Sequence, residues 1–260
     1  MAENDFLRFA IPSDGQLYVE SLEFLNECGL EVKRTSSRKY IGTISSFPDI
    51  QILFQRTADI TSKVDEGSCD LGIVGLDRFE ELKLEDEESF LLIDDLGYGN
   101  CDLVLGIPDS WIDVISTADL ADLSSEFRTM GKQFRIATKY DRLVEQFMLN
   151  KGISYFTLIS ASGALEAAPA IGFADIIADI SSSGVTLKEN RLKTILDGTI
   201  FSSQACVIGN LNLLSCNVNK LKQTKTILKK MDAYMNRIKP SKQHNSLSIL
   251  MNNLKEKNRA

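Results

Sequence analysis

A single histidine, His244, stands among 260 residues, so a His-based catalytic triad or a multi-histidine metal site is all but excluded. The five cysteines (Cys28, Cys69, Cys101, Cys206, Cys216) are odd in number and scattered, with no Cys-x-x-Cys pair. They read as reduced, small core residues of a cytoplasmic protein. No apolar run approaches the roughly 18–20 residues that cross a bilayer. Met1 to Asp5 carries acids and no apolar signal core, so neither a membrane partner nor export by a signal peptide is expected. With 43% hydrophobic and 25% charged residues, the composition is globular, neither disordered nor fibrous, and the length suits one large domain or two small ones.

Basic charge is scarce over most of the chain. The formal net charge is −7, but it is unevenly spread. From Val218 onward eleven Lys/Arg face two acids, a charge of +9, which leaves −16 on residues 1–217 from 18 bases and 34 acids. A body that acidic has no broad basic face for nucleic acid. The tail admits two readings: a surface helix with a frayed basic end, and a contact to another subunit, since acidic bodies and basic tails attract.

Short apolar runs alternate with helical spacings. Leu7–Ile11 reads as a strand ending in the turn Pro12-Ser13-Asp14-Gly15, and Gln16–Glu27 as a helix with Leu17, Leu22, Leu25 and Cys28 on one face. Strands are expected at 51–54, 70–74, 91–94, 102–107, 135–138, 156–159 and 176–180, and helices at 57–66, 143–151, 164–171 and 187–191. Such alternation predicts a parallel α/β sheet with helices on both faces. No internal sequence repeat stands out. The charge run Glu85–Glu88 reads as a solvated loop. Gly97 and Gly99 around Tyr98 fit a hinge between two sheets and, equally, a tight turn. A basic helix after Lys220 is expected to end near Pro240.

The segment richest in chemistry is Asp175-Ile-Ile-Ala-Asp179-Ile-Ser181-Ser182-Ser183-Gly184-Val185-Thr186-Leu187. An apolar strand carries two acids and opens into hydroxyls, a glycine and free backbone N–H groups, the makings of a phosphate cradle. Acids just upstream suit ribose hydroxyls or a bound Mg²⁺. An ordinary Ser/Gly loop with Asp179 capping the turn satisfies the same residues.

Together with Ser162-Gly163-Ala164-Leu165-Glu166 and Gly172 upstream, this stretch resembles the signature of the ATP phosphoribosyltransferase family. There a Glu precedes a Gly by six, and an apolar-x-Asp strand leads to Ser/Thr-Gly-x-Thr-Leu. Glu166, Gly172, Asp179, Ser183, Gly184, Thr186 and Leu187 occupy those positions. Asp59-Ile60, Asp70-Leu-Gly-Ile-Val-Gly75-Leu-Asp77, Leu96-Gly-Tyr-Gly-Asn-Cys101 and Arg135-Ile-Ala-Thr138-Lys-Tyr140 are similar to further family segments in family order, over about residues 6–210.

The resemblance implies two periplasmic-binding-protein-like (type II) α/β lobes around a central cleft. The first, on the ATP side, would comprise residues 1–97 and 188–217; the second, on the phosphoribosyl pyrophosphate side, residues 98–187; the basic helical tail, residues 218–260. It implies phosphoribosyl transfer to N1 of ATP, giving phosphoribosyl-ATP and pyrophosphate, the first step of histidine biosynthesis, with Mg²⁺ bound mainly through substrate phosphates. By the same resemblance Ser181, Ser182, Ser183, Gly184, Val185 and Thr186 would hold the 5-phosphate, and Asp179 with Asp175 the ribose hydroxyls. Ser162, Gly163 and Ala164 would contact pyrophosphate with Glu166 beside them, and Ser13, Gly15, Gln16, Arg56 and Asp77 would line the ATP site. Asp179 and Glu166 are the expected catalytic pair. The chain departs from the family at Ser13 and Gln16, where a Lys-Gly-Arg-like turn supplies two cations; Arg34, Arg38, Lys39 and Arg56 are candidates to replace them. Two other readings follow from that departure: a non-catalytic, phosphoribosyl pyrophosphate-binding regulatory paralogue, and a transferase with a different acceptor. The twenty residues after Pro240 are too few for the regulatory domain of the family's long forms, so histidine feedback is expected to be absent or supplied by a separate regulatory subunit; a homo-oligomer is expected as well.

Overall fold

The computed structural model describes residues 6–36, 38–83, 88–161, 163, 165–240 and 244–257. The chain crosses twice between two units, Met1–Gly99 with Gln204–Ala260, and Asn100–Ser203. Unit 1 begins with β1 (Leu7–Pro12), α1 (Gly15–Glu27), β2 (Val32–Lys33), β3 (Ile41–Ile44), β4 (Phe47–Gln55), α2 (Thr57–Asp65), β5 (Leu71–Gly75), α3 (Leu76–Leu82) and β6 (Ser89–Ile93). Unit 2 follows with β7 (Cys101–Pro108), α4 (Thr117–Thr129), β8 (Arg135–Thr138), α5 (Asp141–Asn150), β9 (Thr157–Ser160), a 3-10 turn (Leu165–Ala167), β10 (Ile176–Ser181), α6 (Val185–Glu189) and β11 (Leu192–Ser203). The chain then returns to unit 1 through β12 (Ala205–Asn210), α7 (Leu211–Cys216), α8 (Val218–Ile238) and α9 (Ser246–Lys257).

Unit 1 is a seven-stranded sheet in the order β2-β3-β4-β1-β5-β12-β6, with β1 parallel to β4 and β5 and β12 antiparallel to β5 and β6. Alternate residues of β1 supply both of its cores. Leu7, Phe9 and Ile11 pack with Phe24 and Leu25 of α1 and with Ile227, Leu228 and Met231 of α8. Ala10 faces the other side, among Ile60, Val64, Val74 and Phe79. Unit 2 is a five-stranded sheet, β11-β7-β10-β8-β9, in which β10, β8 and β9 are parallel and β7 and β11 antiparallel. Leu105, Ile136 and Ile176 fill one face with Leu120, Val144 and Met148; Val104, Ala137 and Ile177 fill the other with Leu165 and Leu187.

Four expectations change. The return crossing falls after Ser203, not Leu187, because β11 pairs along β7 from Leu192↔Pro108 to Ser203↔Cys101 and so stays in unit 2. The first crossing comes after Gly99, two residues beyond the expected boundary. The basic tail is no frayed surface helix. Ile227, Leu228, Met231, Met235, Leu250 and Leu254 are buried in the larger core, and the Lys220 side chain, 4% exposed, meets Asp70 at 2.9 Å. The expected helix at 164–171 shrinks to the 3-10 turn, since Pro169 lacks an N–H and its ring would clash with the carbonyl four residues back. Of the Glu85–Glu88 run, residues 85–87 lie outside the described residues.

The units also share a motif that the sequence hides. At the start of β1, Arg8 donates from its backbone N–H (2.8 Å) and Nε (3.2 Å) to Asp70 Oδ2, and from Nη2 to Asp70 Oδ1 (3.2 Å) and the Gly67 carbonyl (2.8 Å). At the start of β8, Arg135 does the same to Asp175 (2.8 and 3.1 Å to Oδ2, 3.1 Å to Oδ1), with Nη1 on the Gly172 carbonyl at 2.9 Å. In both, a Gly-x-x-Asp turn delivers a carboxylate to the arginine on the neighbouring parallel strand. Gly67 and Gly172 take φ values of 78° and 70°, which favour glycine.

Candidate functional site

In α/β sheets, ligands gather beyond the carboxyl ends of parallel strands, where turns expose backbone N–H groups and polar side chains. Unit 2 has three such ends side by side. Thr138 of β8 is the Cα partner of Ala178 in β10 and of Ser160 in β9, so β8 and β9 finish level and β10 runs three residues farther, to Ser181. Beyond β10 the chain forms a closed loop: the Gly184 N–H donates to Ser181 Oγ at 3.0 Å, and Gly184 adopts φ 71° to lead into α6. Ser182, Ser183, Val185 and Thr186 are exposed, and nothing lies within 4 Å of where a Gly184 side chain would point. Asp179, half-buried one residue before Ile180, accepts that residue's N–H at Oδ1. Beyond β9, Gly163 is exposed and Glu166 lies half-buried in the 3-10 turn. Ser162 and Ala164 lie outside the described residues.

Asp175 does not join this set. It precedes the first residue of β10, while the loop leaves from the last, so the two are separated by about 20 Å at roughly 3.3 Å per residue. Both its carboxylate oxygens are engaged by Arg135. Its expected contact with ribose is therefore corrected: Asp175 holds β8 to β10 at the opposite edge.

Unit 1 has a matching edge. β1, β4 and β5 are parallel, and the Ser13 N–H bonds the Gln55 carbonyl at 2.8 Å, which sets the turns after β1 and β4 together. Gly15, at φ 75°, starts α1. Gln16 is exposed and donates to Glu20 Oε1 at 3.0 Å, an interaction within its own helix. Arg56 opens α2 with a side chain 83% exposed, 3.9 Å from Asp59. Asp77 is buried in the first turn of α3, with Oδ1 folded over Gly75 so closely that a Cβ there would approach it to 2.3 Å. Arg34 lies over the Phe54 ring at 4.0 Å and donates to the Lys39 carbonyl at 2.7 Å, whereas Arg38 and Lys39 are exposed. A cavity of about 440 Å³ between Phe6, Phe47 and Lys222 sits at the other end of β1 and shares none of these residues.

No three His, Cys, Asp or Glu side chains among the described residues come together as a metal cage. The buried thiols are poor nucleophiles: desolvation pushes Cys28 up to about 12, Cys69 to about 11 and Cys206 well above its ordinary value. Among the described residues, no helix is long and apolar enough to cross a membrane.

The fold defines the class. A chain from the ATP phosphoribosyl transferase (HisG:HisZ) complex of Thermotoga maritima superposes with a TM-score of 0.65 at 24% identity, over 89% of this chain and all of that one. An alkanesulfonate-binding protein from Xanthomonas axonopodis pv. citri bound to MOPS superposes at 0.53 and 18% identity, over 96% of this chain and 79% of its own. The protein is thus a mixed α/β protein of two units, each like a lobe of the type II periplasmic-binding-protein fold. Sequence narrows the class. The family model described as HisG, ATP phosphoribosyltransferase, matches residues 56–239. An ATP phosphoribosyltransferase from Brucella anthropi is 42% identical over 202 residues, 76% of this chain and 87% of the relative. The chain belongs to the ATP phosphoribosyltransferase family. It covers 57% of the length of another relative, ATP phosphoribosyltransferase 1, chloroplastic, of Arabidopsis thaliana, which is 37% identical over 239 residues and 90% of this chain.

Proposed function

We propose that this protein transfers the phosphoribosyl group of phosphoribosyl pyrophosphate to N1 of ATP, releasing pyrophosphate, as the first step of histidine biosynthesis. The observation that carries the reading is the closed Ser181–Gly184 loop at the end of β10, with Asp179 just before it, inside the span matched by the family model. The loop's exposed hydroxyls and N–H groups receive the 5-phosphate, Ser181 fixing the loop and Ser182, Ser183, Gly184, Val185 and Thr186 facing the ligand. Asp179 accepts from the ribose hydroxyls. Gly163 gives a backbone approach to pyrophosphate with Ser162 and Ala164 on either side, and Glu166 orients the ribose beside it. Ser13, Gly15, Gln16 and Arg56 receive ATP on unit 1, and Asp77 shapes the turn from beneath Gly75.

No covalent nucleophile is needed, and alignment of N1 with the anomeric carbon supplies much of the rate. Mg²⁺, when bound, offsets the charge of the leaving pyrophosphate. Mg²⁺ would be held mainly through the phosphate oxygens of the substrates. The protein works as a homo-oligomer in the cytoplasm, with a separate regulatory subunit as its second partner. The likeness to a chain of the two-component HisG:HisZ complex of Thermotoga maritima supports that second partner. Given ATP, phosphoribosyl pyrophosphate, Mg²⁺ and a pyrophosphatase, purified protein is expected to form phosphoribosyl-ATP. No product under those conditions, beside calorimetric binding of phosphoribosyl pyrophosphate alone, would replace this reading with a non-catalytic binding protein.

A further inference from the structure

The turn after β8 lies between the two turns assigned to the donor, and its geometry is unusually well fixed. Thr138 is fully buried; its Oγ1 donates to the Ala178 carbonyl at 2.8 Å and accepts the Tyr140 N–H at 3.0 Å. Tyr140 is itself buried in the unit 2 core. Lys139, between them, is exposed. Thr138 pairs with Ala178 on one side and Ser160 on the other, and the Ala161 N–H donates to the Thr138 carbonyl at 3.2 Å. Lys139 therefore leaves the sheet beside Asp179 and beside Ala161, about 4.8 Å from each strand, while β10 runs on to Ser181 and opens its loop about 7 Å farther along. A lysine side chain reaches about 6 Å, enough to span one strand spacing to the β9 turn or to Asp179.

Charge gives the position its meaning. At this edge stand Asp179, Glu166, and Asp102, whose Cα partner is Ser181. Among the described residues of the three turns (139–140, 161, 163 and 179–184), the cation is Lys139. A ligand with a phosphate in the β10 loop and a pyrophosphate over the β9 turn brings several negative charges to an edge already lined by carboxylates, which a placed ammonium offsets.

We propose that Lys139 binds the pyrophosphate of the donor and stabilises it as it leaves. The assignment rests on the transferase reading. In the transfer, the bond from the anomeric carbon to pyrophosphate breaks with its electron pair passing to the pyrophosphate oxygen. The adenine N1 lone pair forms the new bond to that carbon, and a proton from the exocyclic amino group passes to solvent. Lys139 takes no part in that proton transfer. Since negative charge on the pyrophosphate grows along this path, the ammonium binds the transition state more tightly than the substrate.

Lys139→Met is expected to lower kcat/KM for phosphoribosyl pyrophosphate about 10- to 100-fold, the worth of one charge-assisted bond, and to weaken inhibition by Mg-pyrophosphate by a similar factor. The KM for ATP and calorimetric binding of ribose 5-phosphate, which lacks the pyrophosphate, stay unchanged, and Lys139→Arg recovers most of the loss. A folded Lys139→Met protein with unchanged donor kinetics and pyrophosphate inhibition overturns the assignment. So does one that also loses ribose 5-phosphate, which would make the residue structural. A wild-type protein without turnover ends the transferase reading and this proposal together, whereas an active wild type beside an unchanged variant ends only the role of Lys139.

Discussion

Replacing Asp175 with Asn separates a structural carboxylate from a ligand-binding one. Asp175 takes three N–H groups of Arg135 at 2.8–3.1 Å, with its side chain 16% exposed and that of Arg135 32%. Asparagine keeps one acceptor oxygen but turns an amide NH₂ toward the guanidinium, losing charge-assisted bonding on one side. Such bonds are worth about 1.5–3 kcal/mol when buried, and partial exposure of the pair reduces the expected cost to about 1–2 kcal/mol. For a chain of this size that is a fall in Tm of roughly 3–7 °C. Scanning calorimetry and donor kinetics on one preparation decide the matter. The expected result is the lower Tm with KM for phosphoribosyl pyrophosphate within about twofold of wild type, because Asp175 sits about 20 Å along β10 from the Ser181 loop. An unchanged Tm with a KM raised tenfold would refute the reasoning and return Asp175 to the ribose.

Other expectations rest on single contacts. Lys220→Met removes a buried ammonium from Asp70, which is 0% exposed, yet leaves Arg8 in place; a loss of about 2 kcal/mol in urea unfolding is expected. Asp70→Asn leaves both cations against a neutral group and is expected to cost more, about 3–5 kcal/mol, so the reverse order of the two variants contradicts the buried-triad account. The Thr117 hydroxyl, the Thr117 N–H and Lys151 hold the Asp197 carboxyl down at about 2. Its folded value lies below the unfolded one, so its stabilisation is complete above about pH 4 and is lost as pH falls toward 2. With the group partly open to solvent this is worth about 1 kcal/mol, and acid titration of Asp197→Asn should be flatter than wild type in that window.

Much of the architecture was legible because strand period and helix period follow from where side chains must point. The expected strand Arg135–Thr138 is β8, and the expected helix at 16–27 is α1 with Gly15 added. The expectations that changed had tertiary causes. Asp175 and Asp179 lie four residues apart on one strand and look equivalent in sequence; only the pairing with β8 shows that Arg135 claims the first. β11 has a register break around Asp197 and Gly198 and no clean alternation, so its membership in unit 2 depends on β7. The tail looks peripheral because eleven Lys/Arg crowd it against two acids, yet Ile227, Leu228, Met231 and Met235 repeat at helical spacing and reach the core. The α4 start carries a readable signal: Ser116 and Asp119 form a capping box, with Ser116 Oγ accepting the Asp119 N–H and Asp119 accepting the Ser116 N–H at 2.8 Å. The shared Arg–Asp staple was invisible as a repeat, since only a glycine, an aspartate three residues later and one distant arginine recur. At the candidate site, the hydroxyl-and-glycine loop was readable from residue types alone. The level ends of β8 and β9, and the alignment of Lys139 with Asp179 of β10, required the register.

The transferase account is tested most directly by the bond it forms. Phosphoribosyl pyrophosphate labelled with ¹³C at the anomeric carbon and ATP labelled with ¹⁵N at adenine N1 are incubated with the protein, Mg²⁺ and pyrophosphatase, and the products are read by NMR. The account predicts a one-bond ¹³C–¹⁵N coupling in a single new nucleotide, formed in step with pyrophosphate release. Release of pyrophosphate with the label in free ribose 5-phosphate, or attached to any other atom, would contradict it.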